Sequence, residues 1–136
     1  MAVSGVDLKA FLICDSVMRD GQTGKAMITG VFDRIWVSSF PAAIAQMAIY
    51  CRLKVDRTEL SVVLRVTKPS GLQEQMQPLS LAIGTNGITE AFISIQGFLL
   101  PEAGSYSIEL LVDQQAVAEY TLTVIPREQQ PHAQLH

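Results

Sequence analysis

Histidine, the usual general base near neutral pH, occurs only at His132 and His136. Both follow the last run of alternating apolar residues, so neither is anchored where it could activate a nucleophile or ligate a catalytic metal. Cysteine also occurs twice, as Cys14 and Cys51. Each sits in an apolar run without the C-x-x-C companion that a zinc or redox site uses, so both read as buried free thiols. A phosphate-binding loop around Gly24-Lys25 fails on its own pattern: Arg19 stands where Gly is needed and Ala26 where Ser or Thr is needed. No Gly-rich dinucleotide fingerprint opens a helix after a strand.

Carboxylates remain. Asp15, Asp20 and Asp33 flank the flexible connection Asp20-Gly21-Gln22-Thr23-Gly24. If the segments on either side pair, the three side chains and nearby carbonyls could surround Ca²⁺. Their spacing lacks the dense D-x-D of a dedicated calcium loop, and an Asp at a turn more often accepts a backbone N–H. No metal or cofactor is therefore assigned. A second candidate is the strip Phe32, Arg34, Trp36, where aromatics flanking an Arg could stack a sugar or peptide, or pack in a subunit contact. The candidate binding residues are thus Asp15, Asp20, Asp33, Arg34 and Trp36, and no residue is assigned a catalytic role.

The elements that must position these residues have the strand period of two. Met47, Ile49, Cys51, Leu53 and Val55 alternate with polar neighbours, as do Leu60, Val62, Leu64 and Val66. The pattern returns at Ala91, Ile93 and Ile95, at Tyr106, Ile108, Leu110 and Val112, and at Ala118, Tyr120, Leu122 and Val124. Residues 8–14 are apolar on both faces, which suits a central strand. Residues 25–37 make two strands or one strand bent at Gly30, with Val31, Ile35 and Val37 on one face and Phe32, Arg34 and Trp36 on the other. Residues 38–45 are expected to form a helical turn closing one end. Lys68-Pro69-Ser70-Gly71 and Asn86-Gly87 read as turns. Asp113-Gln114-Gln115-Ala116 predicts a longer hairpin loop, because Gln resists the left-handed region.

Glu102-Ala103-Gly104-Ser105-Tyr106-Ser107-Ile108 resembles the tyrosine corner of immunoglobulin-like sandwiches, with Ile108 where antibody domains carry a disulfide-forming Cys. More broadly, Cys14-Asp15, Gly24-Lys25, Gly30-Val31-Phe32-Asp33, Phe40-Pro41 and the segment from Pro101 to Val112 resemble an uncharacterised bacterial family of short all-β proteins. That resemblance implies a sandwich fold and no established activity, so it transfers no catalytic residue.

Composition narrows the partners. The 136 residues carry 10 Lys plus Arg against 13 Asp plus Glu, a net charge of −3, which argues against nucleic acid and against a polybasic membrane surface. No apolar run reaches the roughly 18 residues of a membrane helix, and no basic-then-apolar leader is visible, so a cytoplasmic location is expected. Charged residues are 17% and hydrophobic residues 49%, and Val63, Leu111, Val117 and Phe92 fall on faces that should be wet. Such a surface is expected to be covered in a homo-oligomer, most simply a dimer, or by another protein.

The sequence thus predicts an all-β, antiparallel β-sandwich of about seven or eight strands, immunoglobulin-like, over residues 1–126, with a mobile tail at 127–136. Its expected role is a non-catalytic protein-interaction or assembly module. The alternatives are a small-ligand or Ca²⁺-binding domain on the Asp loops or the Trp36 strip, and an enzyme using carboxylates alone.

Overall fold

In the computed structural model, which describes residues 3–127, every regular element is a strand. They are β1 (Val6–Arg19), β2 (Ala26–Val31), β3 (Arg34–Val37), β4 (Ala42–Val55), β5 (Leu60–Thr67), β6 (Gln73–Gln75), β7 (Leu79–Leu81), β8 (Ile88–Leu100), β9 (Gly104–Val112) and β10 (Gln115–Pro126). No helix among the described residues is long and apolar enough to cross a membrane. The proposed mobile tail lies outside the described residues from position 128 onward.

Two sheets form because each alternating strand has one dry face to bury. One sheet has the order β2-β1-β4-β8 and the other β3-β10-β9-β5-β6, with β7 also pairing β5. Ile13, Met47, Ile49 and Leu53 from the first meet Val62, Ile108, Leu110 and Leu122 from the second in one core. All pairings are antiparallel except β3 beside β10. The tyrosine corner is present: the Tyr106 hydroxyl donates to the Glu102 carbonyl at 2.6 Å and accepts from the Glu102 N–H at 3.2 Å. This is an immunoglobulin-like β-sandwich.

Four expectations need correction. Residues 38–45 do not close the end as a helical turn. β8 runs on to Leu100, and its backbone groups take Ala42, Ala43 and Ile44 as ladder partners opposite Leu100, Leu99 and Phe98, where a helical turn would leave those groups unpaired. Phe32 does not share a face with Arg34 and Trp36. The chain leaves the first sheet after Val31 and joins the second at Arg34, and the two intervening residues reset the alternation. Phe32 therefore packs on the core, while Val31 is left 54% exposed.

The outer faces are also drier than expected. Val117 falls in the register shift between Ala116 and Ala118, which turns it into the core cluster. Leu111 is buried between its cross-strand partners Val63 and Ala116.

The last hairpin, finally, has a two-residue turn. Val112 pairs directly with Gln115, and Asp113 and Gln114 take φ of 53° and 65°. Positive φ at both central residues is the hairpin geometry whose twist matches the strands. Arg57 fixes it, donating to Asp113 Oδ2 at 2.7 Å and to the Ser4 carbonyl at 3.1 Å. Since Gln114 still carries the left-handed cost, Gln114→Gly is expected to stabilise the fold by about 0.5–1 kcal/mol, read as a rise in the urea midpoint at unchanged slope.

One long-range feature positions the site. Leu12 lies opposite Tyr50, and Tyr50 opposite Phe92, so these three share one row across β1, β4 and β8. Arg19 is seven residues farther along β1, which in a straight strand would be ~23 Å away. Its guanidinium instead sits 4.6 Å from the Phe92 ring centroid. β1 therefore folds back. It pairs with β4 only as far as Cys14, and beyond that only with β2, so the β1–β2 hairpin lies across the outer face of its own sheet.

Candidate functional site

Asp15, Asp20 and Asp33 do not converge. Among the described residues no three His, Cys, Asp or Glu side chains are grouped as a metal site would need. Asp20 is committed to its own turn. Its Oδ2 accepts from the Thr23 N–H at 3.0 Å and from the Thr23 hydroxyl at 2.5 Å, and those bonds hold its carboxyl below the usual range. Asp15 lies against Gly30, where the β1–β2 ladder skips one pair. Asp33 sits in the crossover between sheets, its carbonyl accepting from the Thr123 N–H at 2.9 Å and its carboxylate 3.5 Å from Arg34 Nε.

Arg34 and Trp36 do share the outer face of the edge strand β3, opposite Thr123 and Ile125. Arg34 and Asp33 border a shallow depression of about 360 Å³ with Thr121, Thr123 and Ile125. With Phe32 turned inward, the expected pair of aromatics around Arg34 is reduced to Trp36, which is 42% exposed.

Both thiols are fully buried. Burial pushes Cys51 up to about 11. Burial and then the neighbouring Asp15 charge raise Cys14, whose Sγ donates to the Ala48 carbonyl at 3.6 Å. Neither is a thiolate at neutral pH, so neither is a nucleophile in this state.

Sequence reasoning missed the densest polar constellation. On the outer face of the first sheet, Glu90 receives Arg19 at 3.1 Å, Arg52 at 3.0 Å and the Tyr50 hydroxyl. Arg19 also stacks on Phe92, donates to the Gly24 carbonyl at 2.8 Å, and overlies the pair in which Tyr50 meets Phe92 edge-on at 5.6 Å. Burial raises the Glu90 carboxyl, but the Tyr50 hydroxyl and the Arg19 and Arg52 charges outweigh it and hold the group below its ordinary value. The contribution is present above the ordinary carboxylate range and is lost as pH falls through the lowered value. A carboxylate neutralised by two guanidiniums is a poor general acid or base at neutral pH; chemically the cluster is a clasp. Its only sequence signal is the i, i+2 spacing of Tyr50 with Arg52 and of Glu90 with Phe92, which gains meaning once β4 and β8 are known to pair.

An opening with a largely apolar lining runs along β8. β8 is the last strand of its sheet: among the described residues no strand pairs with its outer side, where only Ile88 is engaged, its carbonyl accepting from the Gly84 N–H at 2.9 Å and its N–H donating to Asn86 Oδ1 at 3.0 Å. Between it and the β6–β7 segment of the other sheet lies a trough of about 580 Å³ lined by Val66, Met76, Ile95, Phe98 and Leu99 together with Lys68, Glu74 and Gln75. A second depression of about 350 Å³, beside Leu64, Leu79 and Ile93, meets it at Met76. Leu99 is 64% exposed and Met76 40%.

Three solved structures resemble this fold at low identity. The alkylpurine DNA glycosylase AlkC from Pseudomonas fluorescens, bound to DNA containing an abasic-site analog, is 9% identical with a TM-score of 0.56. The match covers 89% of this chain and 30% of the glycosylase chain. An immunoglobulin-like protein from Pseudomonas aeruginosa is 12% identical over 89% of this chain and 97% of its own, with a TM-score of 0.43. The β-glucuronidase of Bifidobacterium dentium is 11% identical over 90% of this chain and 18% of its own, with a TM-score of 0.40. At these identities the glycosylase match speaks to the fold alone. No curated protein sequence matches the chain. One family model covers residues 9–125, from the first half of β1 nearly to the end of β10, and the chain belongs to that family, the Family of unknown function (DUF6941).

Proposed function

We propose that the protein is a non-catalytic assembly module in which two copies join edge to edge through β8. The observation that carries this reading is the unprotected length of that edge. An open strand offers a row of unpaired N–H and C=O groups, and soluble proteins usually blunt such edges with Lys, Pro, brevity or a covering segment. β8 has 13 residues, and its sequence ITEAFISIQGFLL contains neither Lys nor Pro. Its one charge, Glu90, is taken up by the clasp on the β4 side.

Self-pairing satisfies the edge. Antiparallel pairing about a two-fold axis at Ser94 sets Ile93 opposite Ile95 on the core side. On the outer side it sets Phe92 opposite Gln96, and the inside–outside alternation shifts beyond Gly97, where Phe98 turns to the core; no like charges meet. From Thr89 onward, at ~3.3 Å per residue, the free edge is ~40 Å long. With a two-layer thickness of roughly 20 Å including side chains, the contact approaches the ~800 Å² per partner typical of stable complexes. The exposed side chains of Leu99 and Met76 would be covered in the same step. The low charged fraction of the chain agrees with a surface that is partly dry in use.

Sedimentation velocity tests the reading. The wild type is expected to sediment at tens of micromolar with twice the 14.9 kDa chain mass. Ser94 is exposed in the single chain, so Ser94→Lys should fold normally. In the dimer it brings two ammonium groups face to face, and dissociation is expected to strengthen by tenfold or more. A wild type that stays monomeric at 100 µM (the upper end of a practical range), or a Ser94→Lys dimer as tight as wild type, would overturn the proposal.

A further inference from the structure

We propose that the β1–β2 hairpin, residues 16–31, is a strap that opens as one unit about a crease at Asp15 and Gly30 and is latched shut by Arg19. The crease is built into the backbone. The β1–β4 ladder ends at the Cys14–Ala48 pair, the β1–β2 ladder skips Asp15 and Gly30, and Gly30 takes φ +70°. Beyond that point the hairpin's two strands pair only with each other, and a lone two-stranded ribbon is marginal without packing beneath it. Its upper side is wet: Met18 is 55% exposed and Met27 48%.

The underside rests on a small dry patch. Cys14, Ala48 and Tyr50 are 0%, 4% and 5% exposed, yet Ala48 and Tyr50 lie on the sheet face away from the core and all three stand outside the core cluster. Among the described residues, one side chain makes all the ion-pair and cation–π contacts between strap and sheet. Arg19 reaches Glu90, covers Phe92, and ties itself to the strap through the Gly24 carbonyl. The groups facing it from β4 and β8 are Arg52, Tyr50 and Glu90, so releasing Arg19 leaves Glu90 still paired with Arg52 and Tyr50. The sheet therefore loses little when the strap lifts, and Ala48, Tyr50 and the Cys14 thiol become accessible. The protein thus has an apolar face it can cover or present, independent of whether β8 pairs with a second copy.

Hydrogen exchange read by mass spectrometry, together with thiol labelling by an aromatic disulfide reagent, tests the strap. In Arg19→Ala the amides of residues 16–31 are expected to exchange about tenfold faster, the sum of an exposed ion pair and a cation–π contact. Cys14 labelling should accelerate in parallel, while Cys51 and the amides of β9 and β10 keep their wild-type rates. Arg19→Lys, which retains the charge and loses the planar stack, should fall between the two. Unchanged exchange of residues 16–31 in Arg19→Ala would overturn the latch. Faster exchange spread over β9 and β10 would overturn the independence of the strap.

Discussion

Gly30→Ala is expected to cost about 2–4 kcal/mol of stability. Two costs add at that position. The backbone at φ +70° lies in the left-handed region, where an L side chain is disfavoured by about 1–2 kcal/mol. A Cβ would also run into the carboxylate of Asp15, with the Asp15 Cβ at 3.1 Å behind it. The exposed carboxylate can rotate into solvent, but the Asp15 Cβ stays close, because its strand is held on both sides of the crease by the Cys14–Val31 and Ser16–Thr29 pairs. Gly24 supplies the control. Its φ is +73°, and nothing lies within 4 Å of the Cβ it would acquire. Gly24→Ala should therefore pay only the backbone cost, about 1 kcal/mol. Urea unfolding of both variants measures the difference, which isolates the close approach of β1 and β2. Equal losses would mean that the two strands are not in contact at the crease.

Much of this architecture was legible because burial imposes a period. β4, β5, β8, β9 and β10 each turn one face to the core, and the alternation of Met47 to Val55 or Tyr106 to Val112 is the direct trace of that face. The tyrosine corner was legible too, because its partners are four residues apart. What stayed hidden depends on residues distant in sequence. That Phe32 turns inward follows from a change of sheet between Val31 and Arg34, and nothing local distinguishes a change of sheet from a bent strand. The start of β4 at Ala42 requires knowing that β8 extends to Leu100. Turn chemistry misled at Asp113-Gln114, where local preference opposed a two-residue turn and the adjoining ladder, with Arg57 clamping Asp113, prevailed.

The candidate site divides in the same way. Asp20 could be read as a turn residue from its loop alone, and Arg34 and Trp36 share a face as their i, i+2 spacing implies. The clasp joins Arg19, Tyr50, Arg52, Glu90 and Phe92 across three strands. It exists only because β1 folds back on its own sheet, which no period in the sequence encodes.

Tyr106→Phe is the second large effect, an expected loss of about 1–2 kcal/mol. The ring is fully buried and meets Phe98 edge-on at 6.3 Å, so the variant keeps the packing and removes only the hydroxyl. That hydroxyl makes two bonds, donating to the Glu102 carbonyl and accepting from the Glu102 N–H. Its loss leaves two backbone groups short of a partner at the entry to β9, where Gly104 has already bent the chain to φ +129° against Pro69. The tie matters because no covalent one replaces it: Cys14 and Cys51 are both free and buried. Ile108, at the position of the antibody cysteine, contributes packing at 1% exposure. Tyr120→Phe makes the comparison quantitative. Its hydroxyl makes a single bond, to the Phe32 carbonyl at 2.7 Å, and should cost about 1 kcal/mol. Both losses are read as shifts of the urea midpoint at constant slope. If Tyr106→Phe proved no more costly than Tyr120→Phe, the corner would be a solvated strand entry, and the β8–β9 connection would owe its shape to Gly104 and Pro69 alone.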